Sequence, residues 1–207
     1  MLKTDPRVCV AEFVGATLCR ACGIPVPEPS IVDFKGRHIF GSRLESGVTL
    51  PKSELDVIDQ VTRCENATIF SAVLAIDLAV GNNDRHWHNW LPQSQEGGGI
   101  VMRAMDFSRA WPTDHPPLIF PAMRGENTEK VWRAWASLGI SYDEAAAFDV
   151  CDSLEGLTDQ WLKSIFDQLP ADWMVGATGP QLLVWWNQNW SIRIRDVRDF
   201  LRLGAWV

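Results

Sequence analysis

The sequence has one tyrosine among its 207 residues, and no uncharged run reaches the ~18 residues that a membrane-spanning helix needs. Nothing in it reads as a secretory leader, so a cytoplasmic, reducing setting is expected. Cysteine is sparse and odd in number: Cys9, Cys19, Cys22, Cys64 and Cys151. Cys19 and Cys22 form a C-x-x-C that no second cysteine pair or spaced histidine pair completes, which argues against zinc. Two small hydrophobes one helical turn apart are expected instead. Positive charge is in deficit, with 19 Lys and Arg against 26 Asp and Glu and a formal net charge of −7. That balance speaks against a nucleic-acid surface. Arg193, Arg195, Arg198 and Arg202 cluster near the end but alternate with Asp196 and Asp199, and a solvated helix face is expected. No internal repeat or low-complexity tract is visible.

What is there is the composition of a packed chain, 46% hydrophobic and 22% charged. Its length suits one large domain or two small lobes. The eleven tryptophans dominate the aromatic set. Trp132, Trp135, Trp161, Trp173, Trp185, Trp186 and Trp190 crowd the second half, which points to packing between helices.

Val10, Phe13, Val14, Thr17, Leu18 and Ala21 form a helical stripe over residues 9–22, stopped by Gly23. Pro25, Pro27 and Pro29 then impose an extended path. Residues 30–34 and 37–42 read as strands turned at Lys35-Gly36. Ser53 can cap a helix with Asp56 at its third position. Residues 67–80 are apolar almost all round, broken chiefly by Asp77, and predict a helix buried at the centre of a lobe and ended by Gly81. Residues 90–93 and 100–105 read as a hairpin turned through Gln95 to Gly99. Prolines between 112 and 121 predict an ordered loop over the site, and helices are expected over 129–138, 142–149, 158–168 and 181–203. The chain divides into a small α/β piece, 1–50, and a mostly helical remainder, 51–207.

The chemistry concentrates between Gly81 and Phe107. Asn89 immediately precedes one hairpin strand and Asp106 follows the other, so the pattern brings them together at the open end. An amide oxygen and a carboxylate suit Mg²⁺, with phosphate oxygens and water completing its shell. Asp84, in the loop just before, can accept a proton from a hydroxyl set against a γ-phosphate. Arg85 can steady that carboxylate or meet phosphate charge. His86 and His88 allow another reading, a metal-dependent hydrolase. Alternate loop residues tend to point apart, however, and His38 and His115 are remote, so His86 is expected to hydrogen-bond loop backbone.

Asp84-Arg85-His86 with Asn89, followed by Asp106-Phe107, resembles the catalytic and metal-binding segments of HipA-like kinases. It is more distantly similar to phosphatidylinositol 3/4-kinases. Ala11-Glu12-Phe13 through Cys22-Gly23-Ile24-Pro25-Val26-Pro27-Glu28 is similar to the family's glutamate-bearing helix and its following G-[IL]-P-V-P-E string. Gly41-Ser42-Arg43-Leu44 matches its strand leading into the hinge, and the likeness covers residues 2–112. The resemblance implies an α+β, protein-kinase-like two-lobed fold, with a reduced N-terminal lobe and a mostly helical C-terminal lobe. It implies ATP and Mg²⁺ as cofactors and phosphoryl transfer to a protein serine or threonine hydroxyl. Asp84 would be the base, with Asn89 and Asp106 holding magnesium. Glu12 would orient an ATP-gripping lysine, for which Lys3 is the candidate, and the backbone of Ser42, Arg43 and Leu44 would meet adenine. An association with toxin–antitoxin modules comes with the family as an expectation.

Kinases of this type cover the ATP phosphates with a glycine- or serine-rich loop between two strands that precede the lysine. This sequence begins at or just before Lys3. The expectation is therefore a fragment, a companion chain that completes the lobe, or a degenerate kinase. The last case defines the alternative function, a binding or regulatory protein on a kinase scaffold that acts through a partner.

Overall fold

A computed structural model describes residues 2–111, 126–174 and 178–203. The loop expected over residues 112–121 lies outside the described residues.

Asp5 starts the first helix, α1 (Pro6–Ala21), by accepting hydrogen bonds from the Arg7 and Val8 amides at 2.9 and 3.4 Å. Pro6 falls where a missing amide hydrogen costs nothing. The helix ends at Gly23, whose φ of 71° suits glycine. Three strands, β1 (Leu2–Lys3), β2 (Pro29–Phe34) and β3 (Arg37–Ser42), form an antiparallel sheet in the order β1-β3-β2. The β2–β3 turn holds both Lys35 and Gly36 at positive φ, 55° and 74°, the backbone that a two-residue hairpin with the strands' own twist needs. Lys3 pairs with Phe40, and its side chain reaches Glu12 in the middle of α1.

Past the sheet come α2 (Glu54–Thr62), α3 (Ile69–Val80), a 3₁₀ turn over Trp87–Asn89, and the hairpin β4 (Trp90–Ser94) and β5 (Ile100–Ala104). Then follow α4 (Asn127–Ser137), α5 (Glu144–Glu155), α6 (Asp159–Phe166) and α7 (Thr178–Leu203). Ser53 caps α2 through the Asp56 amide at 3.2 Å, and Thr158 caps α6 through the Trp161 amide at 3.3 Å. Helix α5 starts later than its pattern suggests because Asp143 is its cap, and it runs past 149 to Glu155. The fold is α+β, with the helices gathered on the C-terminal side.

Every residue of α3 is buried, so no water can take up its last carbonyls. Arg193 on α7 donates to Leu78 O at 2.5 Å and Ala79 O at 3.3 Å, and the Trp111 amide donates to Val80 O at 2.8 Å. This corrects the solvated basic face: Arg193 is buried at the negative end of α3, and burial lowers its pKa to about 10. Arg195 and Arg202 do face solvent. Trp132, Trp135, Trp173, Trp186 and Trp190 are buried in the core, with Trp161 and Trp185 half-buried against it. Cys9, Cys19 and Cys151 are buried and Cys22 half-buried; burial lifts the Cys22 thiol to about 12, where it is inert.

Candidate active site

The loop from Gly81 to Asn89 hangs from a buried ion pair. Asp77, the one charged residue in α3, accepts from Arg85 Nε at 2.8 Å and Nη2 at 2.7 Å, and from Asn82 Nδ2 at 2.8 Å. The second face of the guanidinium donates to the carbonyls of Met105 and Asn89. Its Cζ lies 4.8 Å from the centroid of the Phe107 ring and 5.6 Å from that of Trp90. Arg85 is 1% exposed. It therefore does not reach out to steady Asp84 or meet a phosphate; it ties the loop to the end of the β4–β5 hairpin. Asp77 raises the Arg85 pKa against the opposing effect of burial.

With Arg85 turned inward, Asp84 stays half-buried on the loop and Asn89 is buried beneath it. Asn89 Nδ2 donates to Asp84 O at 3.0 Å, so its Oδ1 is the amide atom open to a ligand. The Met105 amide donates to Asn89 O at 3.0 Å, which extends the hairpin ladder by one step and sets Asp106 beside Asn89. Asp84 Oδ1 accepts from Asn127 Nδ2 at 2.6 Å. His86 Nδ1 accepts from the His88 amide at 3.3 Å, a bond to loop backbone as the sequence suggests.

Asp106 takes a left-handed backbone, φ 63°, unusual for a residue with a side chain. Its own carboxylate supports that turn: Oδ1 accepts from Ser108 Oγ at 2.6 Å and from the Ser108 amide at 3.2 Å. Oδ2 lies 3.2 Å from Lys3 Nζ, which is also 3.4 Å from Glu12 Oε1. Glu12 Oε2 accepts from the Phe107 amide at 2.8 Å, and one turn on, a β-carbon at Gly15 would meet Phe107 Cγ at 2.5 Å. Helix α1 thus grips the Asp106-Phe107 segment through a carboxylate and a missing side chain. Burial, then Asp106, lifts the Glu12 carboxyl to about 7, while the Phe107 amide and Lys3 pull it back. For Asp106, burial is outweighed by Ser108 and Lys3, and its pKa falls. For Lys3, burial is outweighed by Asp106 and Glu12, and its pKa rises. Asn89 Oδ1 and the remaining lone pairs of Asp106 form an all-oxygen donor pair, which fits Mg²⁺.

Above this group a cleft of about 280 Å³ is lined by Ser42, Arg43, Leu44, Val48, Leu91 and Met105 with their neighbours. The Arg43 amide donates to Glu28 O at 3.0 Å and is not open to a ligand; the Leu44 amide is not so engaged. Arg103 on β5 pins this stretch by donating to both Glu45 oxygens, at 2.6 and 2.8 Å, and to the Val26 carbonyl. Sequence reasoning missed Arg103, Gly15, Ser108, Asn127 and Thr128. Only Asp77 carried a signal, as a lone charge in an apolar helix.

No protein-family model matches the chain, and no curated protein matches it. Solved structures do. The proinflammatory kinase CtkA of Helicobacter pylori aligns with a TM-score of 0.63 and 13% identity, over 99% of this chain and 91% of that one. HipA of Shewanella oneidensis MR-1, from a toxin–antitoxin complex with HipB and operator DNA, aligns with a TM-score of 0.52 and 12% identity. That alignment covers 92% of this chain but 57% of that HipA chain, a little over half its length. The fold is therefore that of HipA-like kinases.

Proposed function

We propose that this chain is an ATP-dependent phosphotransferase acting on a protein serine or threonine hydroxyl. The observation that carries the reading is the meeting of Lys3, Glu12 and Asp106 within 3.4 Å beside Asn89, under the Ser42–Leu44 cleft, on a kinase-like backbone. ATP would sit between a lobe of residues 1–50 and a lobe of residues 51–207, with its purine against Leu44 and Leu91. Lys3 would neutralise phosphate charge, held for that task by Glu12. Asn89 and Asp106 would hold Mg²⁺, which when bound neutralises charge on the phosphate oxygens. Asp84 would take the acceptor hydroxyl's proton on Oδ2, the oxygen that Asn127 does not hold.

The test is transfer of labelled γ-phosphate from MgATP into protein. Asp84→Ala is expected to lower the rate by about 10²-fold or more while leaving MgATP binding intact. Transfer unchanged by Asp84→Ala contradicts the role of the base. The regulatory alternative predicts no transfer by the wild type.

A further inference from the structure

The first residues of α4 touch every residue of the catalytic loop from Asn82 to Arg85. Thr128 Oγ1 donates to Asn82 O at 2.8 Å, and the Thr128 amide donates to Asn83 O at 3.3 Å. Asn127 Nδ2 donates to Asp84 Oδ1 at 2.6 Å, and the Arg85 amide donates to Thr128 Oγ1 at 3.0 Å. Thr128 is buried and Asn127 half-buried. Asn127 is not occupied in capping its own helix, because the cap position is Glu126 and no side chain caps it. The far end of α4 is fixed as well. Trp135 lies 4.7 Å, ring to ring, from both Trp87 of the loop's 3₁₀ turn and Phe70 of α3.

We propose that Asn127 is a positioning residue for Asp84, and that α4 is the element which aims the base. The inference rests on the phosphotransferase reading above. A carboxylate on a loop can rotate about χ1 and χ2, and either oxygen can face the acceptor. The amide of Asn127 takes Oδ1 and so selects Oδ2 for the proton. Thr128 holds the peptide under it, so the carboxylate's two remaining torsions are set by one donor. That donor reaches a charged acceptor, the stronger class of hydrogen bond.

The experiment compares wild type, Asn127→Ala and Asn127→Gln in MgATP turnover, each also in an Asp84→Asn background, with side-chain amide NMR of Asn127. Asn127→Ala is expected to lower kcat by about ten- to a hundredfold, with KM for MgATP within about twofold. Asn127→Gln, which keeps the donor, is expected to recover part of kcat. No further loss is expected from Asn127→Ala once Asp84 is Asn. A kcat that Asn127→Ala does not change, or an equal fractional loss in both backgrounds, overturns the proposal and leaves the phosphotransferase reading standing. If the wild type turns over no ATP, that reading fails instead, and the NMR signal decides. An Asn127 amide resonance that moves in Asp84→Ala supports the positioning contact; one that does not move overturns it.

Discussion

Glu12 sits in an environment that conflicts with its charge. It is 1% exposed and its carboxyl is raised from an ordinary 4.5 to about 7. Between those values the folded chain keeps a proton that the unfolded chain has released. The stability tied to this group is therefore full below pH 4.5 and is lost as pH rises through 7, a loss on the order of 3 kcal/mol. Glu12→Gln keeps an acceptor for the Phe107 amide and cannot ionise. Its melting temperature is expected to gain on wild type from pH 5 to about pH 7 and to level off above that, in thermal scans without nucleotide. A constant difference across that range contradicts the account. The Arg85–Asp77 pair makes an opposite demand, since both partners are buried and charged. Asp77→Ala leaves a buried guanidinium without its partner and is expected to cost about 3–5 kcal/mol in urea denaturation. Gly15→Ala places a β-carbon 2.5 Å from Phe107 Cγ and is expected to push Phe107 out of its seat. A drop in MgATP affinity together with lowered stability is the readout.

At the scale of elements, α3 is the axle of the helical side, and the ligands of its carbonyls come from far along the chain. Arg193→Met fills similar space without a donor and leaves Leu78 and Ala79 unsatisfied, a cost of about 1–3 kcal/mol visible in the urea midpoint. Which elements form was largely legible beforehand, because their signals are local. Ser53, Thr158, Gly81 and Lys35-Gly36 each act on residues within one turn of themselves. The nearness of Asn89 to Asp106 was legible for the same reason, since a hairpin brings its own ends together. Arg85 was misplaced because its partner Asp77 is one helix back, and nothing in D-R-H says which way the guanidinium turns. Asn127 was invisible because the contact spans 43 positions and asparagine at a helix start reads as routine.

At the scale of the whole chain, two further contacts join the sheet side to the helical side, besides the grip of α1 on Asp106-Phe107. The stretch after β3 is pinned by Arg103 on Glu45, and the opposite side by the segment after α6, where Trp173 Nε1 donates to His38 O at 2.9 Å and packs on Phe13. The lysine, glutamate and aspartate that meet at the site come from β1, α1 and the end of β5 respectively, so their geometry depends on both connections. Bound MgATP would touch both sides and should raise the melting temperature, more so with magnesium than with EDTA. The most direct measurement is calorimetry of ATP binding, with and without Mg²⁺, to wild type and Asp106→Ala. The account predicts magnesium-dependent binding by the wild type, weakened about tenfold or more in Asp106→Ala. No binding by the wild type, or equal binding by the two proteins, would contradict it.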